Sequence, residues 1–113
     1  MEDINLGSKI SLKGFADNLH RGDMAIVKKM AGHYLNSFEK FANVEKVELS
    51  LKVIHDVDKP DEIKKYEIKG KLISSLGVFN SDALDENMFA ALDKALKKLE
   101  KQIAKEKEKL KEK

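Results

Sequence analysis

Apolar residues recur at every second position near the start of the chain, at every third or fourth in the next stretch, at every second again through the middle, and at every third or fourth towards the end. A period of two puts alternate side chains on opposite faces of a strand, whereas a period near 3.6 gathers them on one face of a helix. Ile10 and Leu12 alternate with Ser11 and Lys13 before Gly14, which predicts a short strand closed by a turn. Phe15 to Gly22 reads as a loop. Met24, Val27, Met30, Ala31, Tyr34, Leu35, Phe38 and Phe41 then form one apolar stripe opposite Lys29, Asn36 and Lys40, predicting an amphipathic helix capped by the carboxylate of Asp23.

Val47, Leu49, Leu51 and Val53 alternate with Lys46, Glu48, Ser50 and Lys52, and Tyr66, Ile68 and Leu72 alternate with Glu67, Lys69 and Lys71. Both runs predict strands with one wet face. HDVDKPDE, with its proline and acidic residues, suits an exposed connection joining them as a hairpin. Ser74 to Gly77 supplies the next turn, and Val78 to Ala83 a fourth strand whose alternation is weakened by Asn80 and Asp82. The last helix is expected to be capped by Asp85, with Glu86 in its first turn and lysines at its end, as the helix dipole favours. Its buried stripe is Met88, Phe89, Leu92, Leu96, Leu99 and Ile103. The order β-α-β-β-β-α implies an α+β two-layer sandwich, with two helices packed on one face of a four-stranded sheet. One domain, 1–113, is expected, with 1–9 an N-terminal extension and 106–113 a helix end that frays, because only Leu110 is large and apolar after Ile103.

Composition narrows the chemistry. The chain is 42% hydrophobic, enough for one core, and 37% charged with a formal net charge of +2, so any electrostatic function depends on where the charges sit. It has no cysteine, which excludes disulfides, thiolate nucleophiles and zinc-thiolate sites. No apolar run approaches the about 20 residues of a membrane span, and the first nine residues do not resemble a secretory signal. A soluble cytoplasmic protein without a membrane partner is the expectation. His20, His33 and His55 are scattered, and a lone histidine is more often a solvated side chain than a general base. Asp56 and Asp58 begin an EF-hand-like spacing with Glu67 at the twelfth place, but Pro60 takes the fifth position and Asp61 replaces the glycine required at the sixth. No catalysis, metal, cofactor or small-molecule substrate is expected, and the sulfurs of Met24, Met30 and Met88 are packing atoms on core stripes.

The remaining signal is lysine. From Lys94 onward nine lysines face four glutamates, a net +5, so the rest of the chain is net acidic. Projection of the last helix at 100° per residue sets Lys94, Lys97, Lys98, Lys101 and Lys105 opposite the apolar stripe. From Lys94 to Lys105 the row runs about 17 Å, long enough to meet several phosphates of a folded RNA. The same pattern describes an ordinary solvated helix face, since lysine forms helices well and Glu108 and Glu112 can pair along it. Lysine also lacks the planar fork of arginine, so any RNA contact is expected to be independent of sequence.

NMFAALDKALKKLEKQIAKEKEKL, from Asn87 to Leu110, resembles the final helix of the ribosome hibernation promoting factor family, which includes the ribosome-associated translation inhibitors. Met88, Phe89, Ala90, Ala91, Leu92 and Asp93 match the opening of that helix; Lys98, Leu99, Lys101, Gln102, Ile103, Lys105, Lys107, Lys109 and Leu110 match its continuation. LGVFNSDALDE resembles the strand and acidic turn before it, and SFEKFANVEKVELSLKV the end of the first helix and the second strand. The likeness runs from about Ile10 to the C-terminus. It implies a non-catalytic protein that binds the small ribosomal subunit through its rRNA, in the channel used by mRNA and tRNA, and keeps ribosomes inactive during stress or stationary phase. Carried over, the RNA-binding residues are Lys94, Lys97, Lys98, Lys101 and Lys105, with Lys28 and Lys29 from the first helix. Ala104 and Glu106 stand where the family often has basic groups, which dilutes the cationic surface at its far end. The resemblance is to short members of the family, so no further domain is expected after the helix, and the isolated protein is expected to be a monomer. Two other readings stay open: a module like a double-stranded RNA-binding domain, although those place lysines at the start of the last helix where Asp85, Glu86 and Asn87 stand here, and a protein-interaction module with a charged helical tail.

Overall fold

The computed structural model describes residues 4–6, 9–59 and 61–111. Five strands and two helices follow in the order β1 (Ile4–Leu6), β2 (Ile10–Lys13), α1 (Arg21–Glu39), β3 (Val44–His55), β4 (Ile63–Ser74), β5 (Gly77–Asp85) and α2 (Met88–Lys111). The expected β-α-β-β-β-α order is present, and the three-residue β1 widens the sheet from four strands to five. In space the strands keep their sequence order, β1-β2-β3-β4-β5. Only the β2–β3 pair is parallel, because α1 carries the chain across the sheet between them; the other pairs are antiparallel.

Alternation fixes which face is covered. Ile10, Leu12, Val47, Leu49, Leu51, Ile68, Leu72 and Ala83 point to the helices and are buried, joined by Val27, Ala31, Tyr34 and Phe38 of α1. α2 contributes Met88, Leu92, Leu96, Leu99 and Ile103 as its spacing requires, while Phe89 is partly buried. Ala91 and Ala95 join the stripe with no exposed surface. Two glycines permit close approaches. A Cβ on Gly14, at φ 83°, would lie 2.3 Å from the carbonyl oxygen of Leu51. At Gly70, in the middle of β4, it would lie 3.0 Å from a methyl of Leu99, so the missing side chain lets α2 seat on the sheet.

Both helix starts differ from expectation. α1 begins at Arg21 with His20 at the N-cap, where no side chain accepts a hydrogen bond, and Asp23 sits inside the first turn. α2 is capped by Asn87, whose Oδ1 accepts from the backbone N–H of Ala90 at 3.0 Å; Asp85, two residues earlier, instead accepts from the N–H of Asn87 at 2.8 Å. Glu86 therefore precedes the helix, whose first turn holds no acidic residue. The β3–β4 hairpin is longer than its alternating run suggests, and its tip spans Asp56 to Glu62. At the other end α2 stays helical to Lys111, although no residue from Ala104 to Leu110 is buried.

Candidate nucleic-acid interface

α2 lies along β5, the edge strand, and runs antiparallel to it. Three side chains mark the alignment: Lys94 Nζ donates to Asp85 Oδ2 at 2.6 Å, Lys98 Nζ to the carbonyl oxygen of Asp82 at 2.5 Å, and Gln102 Nε2 to that of Asn80 at 2.8 Å. The unpaired carbonyls of a sheet edge need donors, and α2 supplies two. Lys98 thus has a structural task that its sequence position does not announce.

The opposite flank of α2 meets α1 and is acidic. Tyr34 Oη donates to Asp93 Oδ1 at 2.7 Å, and Ser37 Oγ donates to Glu100 Oε2 at 2.5 Å, so the two carboxylates join the helices. The hydrogen bond from Tyr34, followed by the ammonium of Lys97, holds the Asp93 carboxyl below the usual carboxylate range. Burial, followed by the bond to Asp93, raises the Tyr34 phenol above its ordinary value. At the start of the helix the Lys94 ammonium and then the Asn87 N–H lower Asp85 in the same way.

The seven lysines indicated by the sequence are all exposed but are not equivalent. Lys94 pairs with Asp85 at 2.6 Å, Lys97 with Asp93 at 3.1 Å, and Lys98 with Asp82 at 3.8 Å. Exposed pairs of this kind contribute about 0 to 1 kcal/mol and are screened by salt, so a phosphate can compete for the cation. Lys101 and Lys105 have no ion-pair partner among the described residues. Helical projection places Lys94, Lys98, Lys101 and Lys105 together on the β5 side, with Lys97 on the crest between that side and the acidic flank. Lys28 and Lys29 do not join them. Lys28 lies beside Ala16 and Leu19 of the loop before α1, on the flank of α1 away from Tyr34 and Ser37, while Lys29 faces outward.

Sequence reasoning missed the partners: Asp82, Asp85 and Asp93 restrain three of the lysines, and Gln102 assists Lys98 at the sheet edge. A helical wheel could not have shown this, because it does not say which strand lies beneath which flank. The three histidines fall at the α1 N-cap, on the exposed side of α1 and at the end of β3, and they form no cluster. No described helix is long and apolar enough to cross a membrane.

A solved structure described as a ribosomal subunit interface protein from Coxiella burnetii superposes with a TM-score of 0.58 at 14% sequence identity, over 86% of this chain and 94% of that one, and so shares the fold. No curated protein sequence gives a significant match. Residues 25–111, which hold α1 after its first turn, β3 to β5 and all of α2, match the family model described as sigma 54 modulation protein / S30EA ribosomal protein. The chain therefore belongs to that family, the ribosome hibernation family that its last helix resembles.

Proposed function

We propose that the protein is a non-catalytic translation regulator that binds the small ribosomal subunit, occupies the channel used by mRNA and tRNA, and holds ribosomes inactive in stress or stationary phase. Its place of action would be the cytoplasm and its direct partner rRNA. The observation that carries this reading is the division of α2 into two flanks. Asp93 and Glu100 are turned inward to hydroxyls of α1, while Lys101 and Lys105 stand free among the described residues on the β5 side, beside the exposed ion pairs of Lys94 and Lys98. Contacts to α1 and β5 account for Asp93, Glu100, Lys94 and Lys98, but they leave Lys101 and Lys105 without an ion-pair partner among the described residues, and such a row gains from lying on phosphates. Family membership supports a ribosomal partner. Lys101 and Lys105 form the centre of the proposed contact, Lys94, Lys97 and Lys98 exchange carboxylate partners for phosphate, and Lys28 and Lys29 make a separate contact from α1.

The start of α2 favours this reading over a double-stranded RNA-binding module, since Asp85 and Asn87 there serve as acceptors for backbone N–H groups and the first turn holds no lysine. The test is a sucrose-gradient ribosome profile probed for the protein, with an mRNA-dependent translation assay alongside. The protein is expected in the small-subunit and idle-ribosome fractions, and adding it should lower translation. Recovery only at the top of the gradient, with translation unaffected, would remove the reading.

A further inference from the structure

The sheet has a second face, turned away from both helices, which carries cations that the α2 reading does not use. A groove of about 740 Å³ crosses it, lined among others by Lys13, Lys46, Lys69, Lys71 and Asn80, and by Lys98 reaching round from α2. Strand register fixes the arrangement. Lys13 of β2, Ser50 of β3, Lys69 of β4 and Asp82 of β5 form one row across four strands, and Ser11, Glu48, Lys71 and Asn80 form the next. Glu48 is engaged by Lys46 at 3.4 Å and Asp82 by Lys98 at 3.8 Å. Lys13, Lys69 and Lys71 have no ion-pair partner among the described residues.

We infer that this open face is a second phosphate-binding surface, which takes an RNA backbone and is continuous with the lysine flank of α2 through Lys98 at the β5 edge. The inference rests on the reading of α2 as an RNA contact and extends it to the other side of the sheet. Unpaired ammonium groups interleaved with hydroxyl and amide donors match phosphodiester oxygens, which accept from both. Base recognition by stacking is not available, since the sheet aromatics Tyr66 and Phe79 turn to the core side. A protein partner fits less well. The exposed apolar side chains of β5 on this face, Val78 and Leu84, stand six positions apart, about 20 Å along the strand, and make no central apolar patch.

The experiment compares the wild-type chain with Lys69→Thr/Lys71→Thr, which keeps good strand formers at exposed positions, and with the helix variant Lys101→Gln/Lys105→Gln. Binding to intact small subunits and to protein-free small-subunit rRNA is titrated against salt. Loss of two phosphate contacts should lower the log–log salt slope by about 1.4 to 1.8, so the wild-type advantage shrinks roughly sevenfold or more between 50 and 200 mM salt. If the sheet variant is poorly folded by circular dichroism, Lys13→Thr on another strand should reproduce about half the slope change. A sheet variant that binds both targets with the wild-type slope, while the helix variant is weakened, overturns this inference and leaves the α2 reading standing. Loss on intact subunits but not on free rRNA assigns the face to a ribosomal protein and also overturns it. Wild-type slopes in both variants would remove the α2 reading and this extension together.

Discussion

Ser81 and Gly70 face each other across the β4–β5 pairing, and their neighbourhood decides how closely α2 can approach. Ser81 Oγ is buried without a hydrogen-bond partner among the described residues. A hydroxyl in that state costs about 1 to 3 kcal/mol, so Ser81→Ala is expected to stabilise the protein by about 1 kcal/mol and raise the melting temperature by about 4 °C. A Cβ at Gly70 would lie 2.8 Å from that oxygen and 3.0 Å from a Leu99 methyl. Gly70→Ala should therefore destabilise by about 1 to 3 kcal/mol, and by less when Ser81 is already alanine, a coupling that a double-mutant cycle by thermal melts would measure. The Tyr34–Asp93 bond yields a pH prediction. Asp93 and Asp85 titrate below their unfolded values, so their stabilisation is complete above about pH 4 and is lost as pH falls through the lower folded values. Tyr34→Phe removes the largest cause of the Asp93 shift. That variant should lose about 1 kcal/mol at pH 7 and show a shallower acid limb below pH 4 in denaturant titrations.

Helix α2 serves three neighbours at once: its apolar stripe fills the core, its acidic flank binds α1, and its basic flank covers the edge of β5. The stripe was legible because a 3.6-residue period survives any tertiary arrangement. The edge cover was not, since Lys98 and Gln102 acquire their roles only when β5 is known to be the outermost strand beneath them. Helix starts were misread for a related reason. Asp23, Asp85 and Asn87 all offer an acceptor, and the backbone path into the helix chooses among them; at α1 it gives the cap to His20, which offers no side-chain bond. β1 escaped notice because three residues hold too little alternation to show a period. One consequence separates the lysines. Lys98→Ala should lower thermal stability and uncover the β5 carbonyls, detectable as concentration-dependent self-association in sedimentation velocity, whereas Lys101→Ala should do neither.

At the scale of the whole molecule, the extents of 54 × 27 × 19 Å follow from two elements that outrun the core, the β3–β4 hairpin and the end of α2. Charge is sorted along this length: the hairpin tip carries Asp56, Asp58, Asp61 and Glu62 against Lys59, and the far end carries the late lysines of α2. The sequence made the charge bias visible but left two readings open, a solvated helix and an RNA contact, because a helical wheel cannot tell whether the carboxylates among the lysines are engaged. The structure turns Asp93 and Glu100 to α1 and leaves Lys101 and Lys105 free among the described residues, which is the basis for placing RNA on that flank. The most direct test is the salt dependence of binding to purified small ribosomal subunits, for the wild-type chain and for Lys101→Gln/Lys105→Gln. The account predicts a wild-type affinity that falls steeply from dilute to half-molar potassium chloride and a slope reduced by about 1.4 to 1.8 in the variant. Wild-type binding that is absent or indifferent to salt, or a variant with the full wild-type slope, would contradict it.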